Sequence, residues 1–529
     1  MKNFLDFLPI LAIVPVIAIS CEKGDSLSSI SGENGRLEEL AHEEIVLGKQ
    51  LDDPYSLQNM EAALKSLYPT KAGRVDLEPT DLYVRFLPKN EDQLQVLEDM
   101  GLELLDHPMD YEILKEGDYY HDPDLPEEKI TWQYAVVPAD FKFPSGFVYE
   151  TLDRCYITEN DPVTRSDDGV DWQEVEREAF RLTGNTSFLE PQTKAERHKP
   201  SGRITIVDGN ANGGEPFGVA GVKVSCNAFV KFSSTYTDRD GYYEIPVKYS
   251  ARLRYRLLFR NEKGFSIGFN MVLTHASFST LGGGPAEGKD VTITRKSDRK
   301  LFTRCVVNNT AYDWYSRCEE GGDLGIPAPP KGLRIWLFQK MGSSSACMLK
   351  HGAVVDNALV RGFLGDYAGL IKSILPDITL GLKDRDDYSQ VYSAACHELA
   401  HASHFSQVGK DFWDKYISYI LRSFVENGFT TYGDGTTSGA GYCEVGEMWG
   451  YYMENKTYND RYGGTMPNFG NSFWFHPQIF RYLDERGMKC GEIFKALTPE
   501  VTDKNKLRAK LLELYPSRKA VINQVFERY

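Results

Sequence analysis

The residues best equipped for chemistry are His397, Glu398 and His401, in the run Cys396-His397-Glu398-Leu399-Ala400-His401. Tyr388 to Ala395, just ahead of it, contains neither Gly nor Pro, so the run is expected on a helix. At 3.6 residues per turn, positions four apart lie about 40° apart in projection, which sends both imidazoles from one face toward a single Zn²⁺ at about 2.0–2.1 Å. Glu398 is turned by roughly 100° from His397, so its carboxylate can reach a metal-bound water without becoming a ligand. It is the candidate general base. With ten His in 529 residues, a four-apart pair is expected by chance roughly 0.2 times, and the intervening Glu lowers that to about one in a hundred. Satisfied core histidines are the alternative reading.

Two imidazoles do not complete a site, and the third ligand must come from elsewhere. The metzincin extension fails, because His404 stands at its Gly position and Gln407 at its final His position. His404 shares the helix face, but three turns of a straight helix cannot wrap a tetrahedral ion, so it is read as a supporting or surface residue. Three later carboxylates compete. Glu426 precedes Asn427-Gly428, a helix-ending signal. Glu444 and Glu447 lie in Gly441-Tyr442-Cys443-Glu444-Val445-Gly446-Glu447-Met448-Trp449-Gly450-Tyr451-Tyr452, which reads as a helix with one apolar side.

HExxH with a downstream Glu followed directly by bulky apolar residues, here Met448 and Trp449, resembles the gluzincins, the thermolysin-like superfamily of zinc metallopeptidases, over about 60 residues. The resemblance implies Glu447 as the third ligand, with Glu444 supporting it or starting a helix, and Glu426 next in line. It implies a Tyr upstream of the ligand for the oxyanion, which selects Tyr442 over its rivals His476, Tyr451 and Tyr452. It also implies that the strand Asp377-Ile378-Thr379-Leu380-Gly381-Leu382 pairs with substrate backbone; a core strand is the equal alternative. The activity implied is hydrolysis of peptide bonds in a protein or peptide substrate. The competing reading is a non-catalytic surface lipoprotein with a structural zinc site, against which the retained Glu398 counts, since a structural site needs no such base.

The elements that must position these residues form a multidomain α+β chain. At 529 residues it exceeds one hydrophobic core. Residues 1–20 read as an export signal, with Lys2 and an apolar stretch from Phe7 to Ile19 too short to span a bilayer. Ala18-Ile19-Ser20-Cys21 resembles a bacterial lipobox, with Ala18 where Leu is usual; it implies acylation of Cys21 and a place in the cell envelope as an outer-membrane lipoprotein. Plain secretion with cleavage near Ser20 is the alternative. Residues 21–50 then serve as a tether.

Residues 51–190 alternate helical and strand patterns: a helix from Asn59 to Leu67, a strand from Leu82 to Leu87, a helix capped by Asn90, and a strand from Leu102 to Leu105. This is an N-terminal α+β domain. After a linker around Pro191 and Pro200 the period becomes two, most clearly from Arg252 to Arg260, where Leu253, Tyr255, Leu257 and Phe259 share one face of a half-buried strand. Gly218 to Val224 and Thr237 to Pro246 resemble the carboxypeptidase regulatory-like family, which implies a transthyretin-like β-sandwich over 198–297. Its Asp238-Arg239-Asp240-Gly241 run reads as a turn, since the other ligands of a calcium loop are absent. Residues 300–529 are mainly helical and form the zincin-type peptidase domain.

Lys plus Arg is 60 against 76 Asp plus Glu, a net charge of -16 without a basic cluster, which excludes nucleic acid as a partner. Besides Cys21 there are eight cysteines, Cys155, Cys226, Cys305, Cys318, Cys347, Cys396, Cys443 and Cys490, with no CxxC pair. They permit disulfides in an exported protein or stand as buried thiols.

Overall fold

The computed structural model describes residues 44–70, 77–117, 119–126, 129–161, 169–189, 197–268, 276–353, 376–426, 432–464, 466, 469–470 and 473–529. The expected export signal with Cys21, most of the expected tether and the expected linker around Pro191 lie outside these residues. The chain is mixed α/β, with several sheets and a helical C-terminal region. Among the described residues no helix is long and apolar enough to cross a membrane.

The N-terminal region runs β1 (Val46–Gln50), α1 (Leu57–Leu67), β2 (Asp81–Leu87), α2 (Glu91–Asp99), β3 (Tyr111–Lys115), β4 (Gln133–Pro138), β5 (Val148–Cys155) and α3 (Trp172–Leu182). Its sheets are β1-β3 and β4-β2-β5. Asn90 caps α2 as expected, its side chain accepting the Gln93 amide. The expected strand from Leu102 to Leu105 shrinks to one bridge between Leu105 and Tyr134. Asp106 turns its carboxylate to the Tyr120 amide, and Pro108 has no N–H to carry a ladder on.

The middle region supplies β6 (Ser201–Ile206), β7 (Phe217–Gly218), β8 (Val222–Ala228), β9 (Lys231–Tyr236), β10 (Tyr242–Glu244), β11 (Leu253–Asn261), β12 (Ser266–Ile267), β13 (Phe278–Gly284) and β14 (Val291–Ile293). One sheet is ordered β10-β6-β14 with β7 on β6; the other contains β8, β9, β11 and β13. The arginine face of β11, expected to be open, is largely covered: Arg256 is 4% exposed. The N-terminal region lies over it, with Arg260 on Glu98, Lys223 on Glu103 and Arg254 on the Tyr111 carbonyl.

The second sheet does not stop at residue 300. Strand β12 pairs in parallel with β15 (Arg334–Phe338), which pairs in parallel with β16 (Ile378–Gly381), after the intervening helix α4 (Arg299–Cys318). Helix α5 (Tyr388–Glu426) follows β16, and α6 (Ala440–Tyr462) packs on α5. The chain closes with α7 (Gln478–Glu485), α8 (Cys490–Phe494), α9 (Lys504–Leu514) and α10 (Lys519–Phe526). The largest cluster of buried side chains reaches from Tyr55 through both central sheets to Phe526, so sheets and helices share one core. The eight cysteines other than Cys21 are free thiols, and all but Cys318 are buried.

Candidate metal centre

Helix α5 starts where Asp387 accepts the Gln390 amide, and carries His397, Glu398 and His401 into the core, where they are 4%, 1% and 0% exposed. Gly409, at φ 73°, breaks the helix two turns after His401. The chain folds back there, so that Trp413 and Tyr416 return to His401 with ring centroids 5.8 Å and 5.9 Å away. Helix α6 approaches from the other side. Its closest point is Gly450, where a Cβ would stand 2.9 Å from both His397 Cε1 and His401 Nε2, so only glycine lets the helix reach the imidazoles.

This approach places Glu447, fully buried, beside both rings. His397 Nε2 faces His401 Nε2 at 3.0 Å, and the Glu447 oxygens lie 3.5 Å and 3.6 Å from the two nitrogens. One ligand atom from each residue falls within 4.8 Å of the others, and among the described residues this is the only such group of three able to hold a metal ion. Burial pushes the Glu447 carboxyl up, but the His401 and His397 imidazoles outweigh it and hold it at about 2.

Two neighbours orient these groups. Glu454, seven residues after Glu447 and so on the same face of α6, accepts from His397 Nδ1 at 3.2 Å. A carboxylate has no hydrogen to give, so His397 donates from Nδ1 and its Nε2 lone pair points toward His401 and Glu447. Tyr416 donates its hydroxyl to Glu447 Oε1.

Glu398 is on the same helix but outside the trio. Its Oε2 is buried with no hydrogen-bond partner among the described residues. Burial raises its carboxyl to about 8; the His397 and Arg385 charges lower it, while Glu447 and Glu454 add to the rise. Three carboxyl groups, Glu398, Glu447 and Glu454, and one guanidinium, Arg385, thus surround the two imidazoles.

The other sequence candidates sit elsewhere. Tyr442, expected at the oxyanion, packs on Phe412 at 4.9 Å and near the Lys415 ammonium, five residues before Glu447 and turned away from it. The phenols that reach the trio are Tyr416 and Tyr451, the latter edge-on to His397 at 4.6 Å. His476 stacks on Tyr529, and Tyr452 donates to Asp484. Glu444 accepts the Lys504 amide at 2.8 Å and so caps the first turn of α9. Glu426 closes α5, and its side chain lies outside the described residues. His404 is fully buried among Phe412, Trp413 and Phe494, and burial drops its imidazole to about 3.

Strand β16 is a core strand. Its residues are all buried, and its outer edge is taken by the preceding chain: Ser345 and Thr379 exchange both backbone hydrogen bonds, and Met348 donates to the Asp377 carbonyl. A Cβ on Gly381 would stand 2.3 Å from the Ser343 carbonyl oxygen. No backbone edge is left there for a peptide to extend.

Glu454, Tyr416, Gly450 and Arg385 were not singled out by the sequence. Glu454 had a readable signal, two helical turns beyond Glu447; Tyr416 depends on the reversal at Gly409. No protein-family model, curated protein or solved structure matches the chain.

Proposed function

We propose that the chain is an exported zinc metallopeptidase, with zinc held by His397, His401 and Glu447 and with Glu398 as general base. The observation that carries this reading is the spacing of the trio, with Glu398 next to His397 on the same helix and its Oε2 buried without a hydrogen-bond partner among the described residues. Ligands about 2.0–2.1 Å from a tetrahedral zinc stand roughly 3.3 Å apart, and the separations here are 3.0, 3.5 and 3.6 Å. Two nitrogens and one carboxylate oxygen also match the borderline-soft preference of this ion.

In this reading zinc, when bound, polarises the scissile carbonyl and acidifies water. The chain does the rest. Glu454 and Tyr416 fix the ligands, Gly450 keeps the helices close, and Glu398 accepts a proton from the attacking water and delivers it to the leaving amine. Because β16 is covered, it offers substrate no backbone edge.

The lipobox-like run at Cys21 supports attachment to a membrane surface in the cell envelope, and the two central sheets support a carboxypeptidase regulatory-like sandwich over 198–297, the second fused through β12 to the strands before α5. Metal content and turnover of a mixed peptide library, measured on wild type and Glu398→Gln, test the activity. One zinc per chain in both, with turnover in wild type alone, is expected; zinc in both and turnover in neither returns the protein to the second reading, a structural zinc in a binding lipoprotein, which the near-complete burial of the trio favours.

A further inference from the structure

The basic face of the second sheet is covered by the N-terminal region, and its four cations are not partnered alike. Lys223 pairs with Glu103, Arg260 pairs with Glu98, and Arg254 donates to the Tyr111 carbonyl. Arg256 is the most deeply buried of them, at 4% exposed, yet among the described residues its guanidinium makes no hydrogen bond or ion pair. The acids in its field do not close that gap. Asp106 is engaged on both oxygens, by His107 Nδ1 at 2.7 Å and by the Tyr120 amide at 2.8 Å, while Glu116 stands exposed. His107 is 2% exposed, and burial, followed by the Arg256 charge, holds its imidazole below the ordinary value.

Directly opposite Arg256 on β8 is Ser225, 4% exposed, whose hydroxyl is buried with no hydrogen-bond partner among the described residues. Opposed residues of an antiparallel pair share a face, so a free guanidinium fork and a free hydroxyl stand side by side. One pair along the same two strands, Arg254 and Asn227 line a cleft together with Leu51, Met109, Phe188 and Phe229. A buried guanidinium left unpaired is costly, and its planar set of N–H donors matches the two oxygens of a carboxylate.

We propose that Arg256 and Ser225 form a binding site for a carboxylate that enters through this cleft and carries a short apolar chain. The guanidinium gives it two N–H···O bonds and the Ser225 hydroxyl a third, and the apolar chain lies against the Leu, Met and Phe side chains of the cleft. A free short-chain acid and the C-terminus of a peptide share this chemistry. The site belongs to the N-terminal and middle regions and stands independently of the metallopeptidase reading.

Ligand-observed NMR titration of the full chain tests it, with butyrate and acetyl-alanyl-valine as the two carboxylate sources and butyramide and the amidated peptide as neutral controls. Saturable binding of at least one acid is expected, at least about tenfold tighter than its amide, with the tighter acid identifying the source. Arg256→Gln should weaken binding by roughly 10- to 100-fold and Ser225→Ala by roughly tenfold. Ser225→Ala removes a hydroxyl that bonds to nothing in the protein, so it decides the matter if Arg256→Gln does not fold. His397→Ala should bind as wild type does; loss of binding there would put the carboxylate at the metal trio and overturn the assignment. Absence of saturable binding by both acids, amides that bind as well as the acids, or undiminished affinity in folded Arg256→Gln or in Ser225→Ala would overturn it equally.

Discussion

Glu176 and Lys231, each 1% exposed, sit in one buried cluster of charge; Glu398 and Glu447, 1% and 0% exposed, sit in another. In the first, Lys231 and Arg197 face Glu159 and Glu176 at 2.8–3.5 Å, and Tyr55 donates to Glu176 at 2.6 Å. Two cations meet two anions, and the Glu176 carboxyl stays below its ordinary range although burial alone would raise it. In the second, carboxyl groups outnumber cations, two imidazole nitrogens face each other, and Glu398 Oε2 has no hydrogen-bond partner among the described residues. A closed ion network joins the N-terminal region to β9. The second contains the His397, His401 and Glu447 group that could hold a metal ion. The contrast separates a balanced set of buried charges from an unbalanced one without reference to any motif.

The largest effect that could break this contrast is catalytic. Glu398→Gln should retain zinc while activity falls by about 10²–10⁴-fold, the range for general-base help; a variant that turns over normally would remove Glu398 from the chemistry. Next is the closed network. Glu176→Ala strands Lys231 and Arg197 in the core and should cost about 3–5 kcal/mol in denaturant unfolding with zinc affinity unchanged, whereas a loss of zinc instead would mean the two clusters are one system.

Smaller shifts sharpen the picture. Glu454→Gln, which keeps the shape but weakens the acceptor on His397, should lower zinc affinity by about 10–100-fold in a competition titration; no change would make Glu454 a bystander. The smallest effect expected is at His351, whose two ring nitrogens face the Asp377 carboxylate at 2.9 Å and the Lys331 carbonyl at 3.1 Å. Burial lowers its imidazole but Asp377 outweighs it, so its folded value is raised. The pair therefore contributes fully below the ordinary histidine value near 6.5 and is lost as pH climbs through the raised value. For a partly exposed pair, at most about 1 kcal/mol is expected. Tm measured from pH 5 to 9 should fall on the alkaline side in wild type, and the slope should flatten in His351→Gln.

The helix bearing His397 and His401 was readable because both ligands and their spacing are local. Glu447 came within reach because Met448 and Trp449 mark the buried side of α6, and both are fully buried. What could not be read was contact between distant segments. The covering of β16 by residues 341–348 and of the β11 arginines by the N-terminal region are tertiary events that leave no period in either partner. Tyr416 is not legible for the same reason, since sequence distance from Glu447 says nothing about a chain that reverses at Gly409.

The parallel pairing of β12 with β15 and of β15 with β16 has a consequence for the order in which the chain can fold. Strand β12 is made long before its partner, and until residues 334–338 appear its free edge can be met only by other molecules. Such long-range parallel contacts close late and slowly. Helices α5 and α6, which carry the trio, follow β16 in the chain, so a chain stalled at this step would carry an open strand. Aggregation at that edge, and not loss of the metal, is then the expected failure of a destabilised variant.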